Sequence, residues 1–173
     1  MGERGFDILR HRYGKVLGDG PNLYEFVRNN PITRVDLFGL ACPCGESVAQ
    51  IVAVGPLDAN TARRLANEAL AAAQTSGLTG LHNGPADAFR HCFWSCRMAQ
   101  EIGADQAKEV GDTHERCTKN NPPGEEAMDQ ANNAKGRGFG TPGANCLDAC
   151  MQAAQNGTLQ TSPGGTPPAN PGY

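Results

Sequence analysis

The chain has 173 residues, enough for one domain with a hydrophobic core but too few for two sizeable ones. It contains no apolar run long enough to span a membrane, and residues 1–12 lack the apolar segment of a signal peptide. The net charge of −3 disfavours a nucleic-acid substrate, because proteins that bind phosphate backbones usually present a basic face.

The first 40 residues show a pattern of short strands. Apolar side chains follow one another at Leu23, Tyr24, Phe26 and Val27. Two short strands without a larger sheet are only marginally stable. We therefore expect residues 1–40 to be irregular or weakly β, and residues 41–56 to be a linker rich in Gly and Cys at its start.

Residues 57–155 predict an all-α domain, a small bundle of about five helices. Start and stop signals place these helices at about 58–76, 84–102, 105–117, 125–135 and 146–155. Asn83 and Asn145 are expected to cap two of them, and Gly136, Gly138 and Gly140 are expected to end the fourth. The tail, residues 156–173, has almost nothing to bury and is predicted to be disordered.

Three submotifs within residues 13–40 occur in a recognisable order: Asn22-Leu23-Tyr24, Asn29-Asn30-Pro31 and Val35-Asp36-Leu37-Phe38-Gly39-Leu40. This stretch resembles the end of RHS-repeat-associated core domains, which reads close to NLYxYVxNNPxxxxDPxGL, although the family's Asp-Pro is Asp36-Leu37 here. The resemblance implies that residues 1–40 are a remnant of an RHS core, the closing part of a β-strand cocoon. It also implies aspartyl self-cleavage after Leu40 and a toxin in the segment that follows.

The segments GPADAFRHCFWSC, GDTHE and AMDQANNAKGR lie between about residues 80 and 145. They resemble an uncharacterised family of C-terminal toxin domains with the motifs DAxRHxxW, an Asp/His-Glu pair and MDxxNNxxGR. The resemblance implies a toxin-associated domain without defining its reaction. The candidate catalytic residues at the matching positions are Asp87, Arg90, His91, His114, Glu115, Asp129, Asn132, Asn133 and Arg137.

Helical spacing suggests one metal-free arrangement for these residues. Asp87 and His91 lie one turn apart, so the carboxylate can contact the imidazole, stabilise its charged form and fix its tautomer. His91 would then act as general base or acid, while Arg90 or Arg137 stabilises an oxyanion or a phosphate.

Two other interpretations stay open. His91, His114 and Asp129, with Asp87 or Asp112, could bind Zn²⁺ or another divalent ion that activates water, although their spacing matches no established zinc motif. Alternatively, the same polar groups could form a buried network that only joins helices, with His114 pointing towards the core.

Seven cysteines include two pairs at helical i,i+4 spacing, Cys92 with Cys96 and Cys146 with Cys150. We expect two disulfides that clamp an antiparallel pair of helices, because tetrahedral zinc more often uses CxxC on turns. A Cys₄ zinc site and simple core packing are the alternatives. This cysteine density favours an oxidising compartment.

These patterns predict the C-terminal effector domain of an RHS-repeat polymorphic toxin, a hydrolase that attacks a cell-envelope component through its His, Asp and Arg cluster. The expected partners are the parent RHS cocoon, a secretion machinery and a cognate immunity protein. The domain would be secreted or displayed on the cell surface and delivered to a target cell. The alternatives are a nuclease toxin, which the charge does not favour, and a non-enzymatic, disulfide-clamped interaction module of a cell-surface RHS protein.

Overall fold

The computed structural model describes residues 45–118 and 124–165, all within the unit Ala41–Tyr173. These two ranges contain six helices and no strand: α1 (Glu46–Val54), α2 (Pro56–Thr75), α3 (Pro85–Ile102), α4 (Ala104–Cys117), α5 (Glu125–Phe139) and α6 (Cys146–Gln155). The predicted all-α fold is confirmed. The predicted RHS remnant, with the cleavage position after Leu40, lies outside the described residues.

Helix α1 was not predicted, and the assignment of residues 41–56 as a linker is wrong for residues 46–54. Its sequence, ESVAQIVAV, is rich in β-branched residues, which have reduced helix propensity because their side chains lose freedom in a helix. Packing against α2 and α4 stabilises it instead, with Ala49 and Gln50 buried.

Helix α3 is the centre of the bundle, with α2, α4, α5 and α6 packed around it. It buries large apolar side chains such as Phe89 and Met98, and also the polar side chains of Asp87, His91 and Ser95. A helix surrounded on most sides has little solvent-facing surface for its polar residues. Their burial therefore follows from the position of α3 in the fold.

Helix α5 approaches α3 very closely at Gly136. A Cβ atom at this position would lie 2.0 Å from the carbonyl oxygen of Cys92, so only glycine permits the contact. The predicted end near Lys135 is wrong, because α5 continues through Gly136 and Gly138 to Phe139, and Gly140 is its C-cap. Packing against α3 outweighs the cost of about 1 kcal/mol for glycine inside a helix.

Two disulfides join α3 to α6. Cys92 pairs with Cys150 and Cys96 with Cys146, with Cα–Cα distances of 5.8 and 5.7 Å. The predicted antiparallel clamp is confirmed, and these four cysteines are not zinc ligands. Each link closes a loop of 50 or more residues, for which chain entropy predicts a stabilisation of about 4 kcal/mol. Cys117 is also disulfide-bonded.

The segment after α6 packs against the domain. Leu159 is buried, and the side chain of Asn132 exchanges two hydrogen bonds with the backbone of Gln160, at 2.8 and 2.9 Å. The predicted disorder from residue 156 onwards is therefore wrong for residues 156–165. Residues 166–173 lie outside the described part of the chain. Within that part, no helix is long and apolar enough to cross a membrane.

Candidate functional site

A pocket of about 280 Å³ opens between the first four helices. Its lining combines two histidines, two arginines, one glutamate and one tryptophan with smaller residues: Glu46, Ser47, Gln50, Arg63, Ala66, Ala69, Arg90, His91, Trp94 and His114. The indole nitrogen of Trp94 donates to the carbonyl oxygen of Ala62 at 2.9 Å, which fixes the ring between α2 and α3. The pocket wall thus has a defined shape and several ionisable groups.

Asp87 lies beneath this pocket and is almost fully buried. One of its carboxylate oxygens, Oδ2, accepts a hydrogen bond from the backbone amide of Asn83 at 2.8 Å. Its other oxygen, Oδ1, accepts from Nε and Nη2 of Arg90 at 3.0 and 2.5 Å. Asn83 adopts a left-handed φ of 56°, which asparagine tolerates better than most residues. This turn aims its amide at Asp87.

His91 is 2% exposed and contacts the pocket through its edge. Its Nε2 lies 3.0 Å from Nη2 of Arg90, 3.5 Å from Oδ1 of Asp129 and 3.8 Å from Oδ1 of Asp87. Since a guanidinium only donates, Nε2 accepts and carries no proton in this arrangement. Its Nδ1 is buried and makes no hydrogen bond of normal geometry to the described residues, although the side chain of Asn133 is near enough to raise the pKa of the ring.

Burial, followed by the charge of Arg90, lowers the pKa of His91 to about 3. The charge of Asp87 favours a protonated imidazole, as the spacing predicts, but burial and the charge of Arg90 outweigh it. His91 is neutral at pH 7 and is a weak base.

Two further buried carboxylates lie near Asp87, Arg90 and His91. Asp129 on α5 is 4% exposed and Glu115 on α4 is 3% exposed. Burial and the charge of Asp87 raise the pKa of Asp129 to about 7, while burial and the charge of Asp129 raise the pKa of Glu115 to about 7. Oδ1 of Asp129 and Oε1 of Glu115 accept no hydrogen bond from any residue that the structure describes. The cluster therefore holds more negative charge than its neighbours compensate.

His114 lines the pocket next to α3, with its ring edge-on to Trp94 at a centroid distance of 5.5 Å, and 29% of its side chain is exposed. Its prediction as a core residue is wrong, because α1 supplies a polar partner there. Nδ1 of His114 lies 2.7 Å from Oε1 of Glu46, which also accepts from Nε2 of Gln50 at 2.8 Å. Burial lowers the pKa of His114, but the hydrogen bond and charge of Glu46 outweigh this effect, so its pKa is raised.

The structure divides the predicted site residues into three groups. Asp87, Arg90, His91 and Asp129 form one cluster, and Glu115 interacts with it through its charge. The imidazole of His114 neighbours this cluster in the pocket wall, with its centroid 6.2 Å from that of His91. The remaining predicted residues, Asn132, Asn133 and Arg137, do not line the pocket.

These three residues have other contacts. Asn132 binds the backbone of Gln160, and Asn133 accepts a hydrogen bond from Ser95 at 3.0 Å in the interior. The pKa of Arg137 is lowered by burial and raised in part by Asp112. The adjacent asparagines, despite their poor helix propensity, thus connect α5 to α3 and to the C-terminal segment.

A cation could be held by one atom each from Asp87, His91 and Asp129, since these three atoms lie within 4.8 Å of one another. The sequence predicts His91, His114 and Asp129 for this role. Among the described residues, the group whose ligand atoms lie this close together contains Asp87 and not His114.

Sequence reasoning missed three of the polar residues in the pocket wall, Glu46, Gln50 and Arg63. Glu46 and Gln50 lie in the segment that was interpreted as a linker. Their i,i+4 spacing, the signature of a helical pair, was the available signal. Arg63 lies on a helix with many charged residues, where nothing local distinguishes a pocket residue from a surface one.

Comparison with known proteins assigns this arrangement to a family. No solved structure matches the chain. A family model described as "Domain of unknown function (DUF6973)" matches residues 49–158, which include α2 to α6, most of α1 and both disulfides. The chain therefore belongs to the DUF6973 family.

Proposed function

We propose that the helical domain is the effector of an RHS-repeat polymorphic toxin and hydrolyses an anionic component of the bacterial cell envelope. The observation that carries this proposal is the pairing of His114 with Glu46 at 2.7 Å in the wall of a pocket that also contains two arginines.

The His114–Glu46 pair has the geometry of a general base with its orienting carboxylate. When Glu46 accepts the proton on Nδ1, the Nε2 atom of His114 remains free to take a proton from a water molecule. The water oxygen forms a bond to the substrate phosphorus or carbonyl carbon as the bond to the leaving oxygen breaks. The protonated His114 then returns its proton to that leaving oxygen.

Two guanidinium groups, those of Arg63 and Arg90, line the same pocket. Arginine stays protonated at neutral pH and binds phosphate or carboxylate through paired hydrogen bonds. Such groups would hold an anionic substrate beside His114 and stabilise the charge that develops during hydrolysis. These properties favour a phosphate-bearing or carboxylate-bearing substrate.

The cysteines support an envelope target. Two disulfides between α3 and α6 persist in oxidising compartments, and the bacterial periplasm is one of them. The motifs in residues 1–40 support delivery by an RHS cocoon and a secretion machinery, with an immunity protein protecting the producing cell.

A nuclease is the second candidate, because the two arginines would also suit a nucleic-acid phosphodiester. Expression of the full chain with and without a periplasmic signal peptide in a susceptible bacterium separates the candidates. We expect killing from the periplasm only, and loss of killing in His114→Gln and Glu46→Gln. Asp148→Asn, at an exposed position on α6, serves as the control and should kill normally.

The other outcomes decide against an envelope hydrolase. Killing from the cytoplasm with degraded DNA or RNA would identify a nuclease. A wild-type chain that is harmless in both compartments would favour the non-enzymatic interaction module. A His114→Gln variant that is folded, as judged by circular dichroism, and still kills would exclude His114 as the base.

A further inference from the structure

We propose that Asp87, His91 and Asp129 form a binding site for a divalent transition-metal ion, with Zn²⁺ as the ion tested, and that Arg90 moves away when the ion binds. The site lies between α3 and α5, beneath the pocket.

The spacing of the donor atoms fits a small ion. Nε2 of His91 lies 3.5 Å from Oδ1 of Asp129 and 3.8 Å from Oδ1 of Asp87. Donors at about 2.0–2.1 Å from a tetrahedral zinc ion are separated by roughly 3.4 Å. The two distances from His91 exceed this separation by only a few tenths of an ångström, and the two carboxylate oxygens lie within 4.8 Å of each other, so modest side-chain shifts would bring all three donors to coordination distance.

The positions of these donors are fixed by the fold. Asp87 and His91 lie one turn apart on α3, and Asp129 faces them from α5. The close contact of Gly136 with Cys92 holds α5 against α3, so Asp129 cannot easily withdraw. Because α3 and α5 are held in close contact, a site between them needs little reorganisation to bind an ion.

The charge balance also indicates a cation. Oδ1 of Asp129 is buried, lies nearest to Nε2 of His91 and lacks a hydrogen-bond partner in the described part of the chain. Glu115, also buried, adds a further carboxylate with an unpartnered oxygen. A buried carboxylate without a partner is costly, and a bound divalent ion would remove that cost.

Arg90 occupies the place that the ion would take. Its Nη2 atom lies 2.5 Å from Oδ1 of Asp87 and 3.0 Å from Nε2 of His91. The side chain is 31% exposed and lines the pocket, so it can rotate outwards without crossing packed residues. Arg90 and the metal ion are therefore competing counterions for the same two atoms.

This competition gives the proposal a distinctive test. Bound metal is first removed from the purified full-length chain with a chelator, with the disulfides kept intact. The chain is then titrated with ZnCl₂ by isothermal calorimetry. We expect one ion per chain, at least tenfold weaker binding in Asp87→Asn and Asp129→Asn, and normal binding in Asp148→Asn. Arg90→Gln should bind Zn²⁺ more tightly than the wild type, because the competing cation is gone.

The proposal is overturned if the wild type shows no saturable Zn²⁺ binding, or if Asp129→Asn binds Zn²⁺ as tightly as the wild type. It is also overturned if Arg90→Gln binds Zn²⁺ no more tightly than the wild type. X-ray absorption of the zinc-loaded wild type covers the case in which an Asp variant fails to fold. One imidazole with oxygen donors supports the site, whereas two imidazoles or any sulfur donor contradicts it. None of these measurements depends on the proposed hydrolase activity.

Discussion

Replacement of Glu115 by glutamine tests whether the buried carboxylates destabilise the fold. Burial and the charge of Asp129 raise the pKa of Glu115 from 4.5 to about 7. At roughly 1.4 kcal/mol per pH unit, this shift corresponds to a cost of about 3 kcal/mol when Glu115 is ionised. Solvent relaxation around the carboxylate reduces the observable part, and we expect Glu115→Gln to gain roughly 1–2 kcal/mol at pH 8.

The direction of the pH dependence follows from the same shift. Between pH 4.5 and about pH 7, the folded protein holds the Glu115 proton more tightly than the unfolded chain does. Glu115 therefore makes the wild type less stable as pH rises through this window, and the full cost is present above pH 7. The gain in Glu115→Gln should be present at pH 8 and absent at pH 4.5.

Denaturant unfolding of the oxidised chain from pH 4.5 to 8.5, with chelator present, measures this difference. Glu109→Gln is the matched control, because Glu109 is an exposed glutamate on the same helix. A Glu115→Gln variant that is less stable than the wild type at pH 8 would refute the reasoning. That result would mean that the ionised carboxylate has a stabilising partner in the folded protein.

Three further predictions concern other parts of the fold. In thermal denaturation, Gly136→Ala should lower the free energy of unfolding by roughly 2 kcal/mol or more, because the new Cβ atom would meet the carbonyl oxygen of Cys92. Gly138→Ala is the control: a Cβ atom there has no neighbour within 4 Å, so this variant should be as stable as the wild type or slightly more stable. Reduction of the disulfides, which opens the clamp and the bond of Cys117 together, should lower the denaturation midpoint by an amount equivalent to several kcal/mol; an unchanged midpoint would mean that none of them contributes. Glu46→Gln should lower the pKa of His114 in an NMR titration, because the variant loses the charge that raises it; an unchanged pKa would contradict the pairing.

The helices could be predicted where local signals agree with packing. Asn145 caps α6 as its sequence indicates, and its side chain accepts from the backbone amide of Asp148 at 3.2 Å. The end of α5 could not be predicted, because Gly136 stops a helix in isolation and is tolerated here only through its contact with α3. Helix α1 could not be predicted for the opposite reason: its β-branched residues disfavour a helix locally, and packing against α2 and α4 stabilises the helix in the folded protein.

The candidate site was predictable where residues share one helix. The i,i+4 spacing of Asp87 and His91 indicated their proximity, and the spacing of Cys92 and Cys96 indicated the disulfide clamp. The protonation state of His91 was not predictable, because it depends on burial by four neighbouring helices and on the direction of Arg90. Glu46 was missed because it lies on α1 and reaches His114 only in the folded protein.

The clamp and the polar cluster are adjacent, and this adjacency has an energetic consequence. Cys92 follows His91 directly, so the disulfide to Cys150 starts on α3 beside a residue of the polar cluster. Uncompensated charge in the interior favours local opening of α3, whereas two crosslinks to α6 oppose it. Because the Cys96–Cys146 loop lies inside the Cys92–Cys150 loop, the two entropic contributions do not add in full, and one crosslink alone contributes about 4 kcal/mol. This contribution is comparable with the cost of an ionised Glu115, so the oxidised cysteines can offset the strain of the polar centre, and such disulfides persist in oxidising compartments.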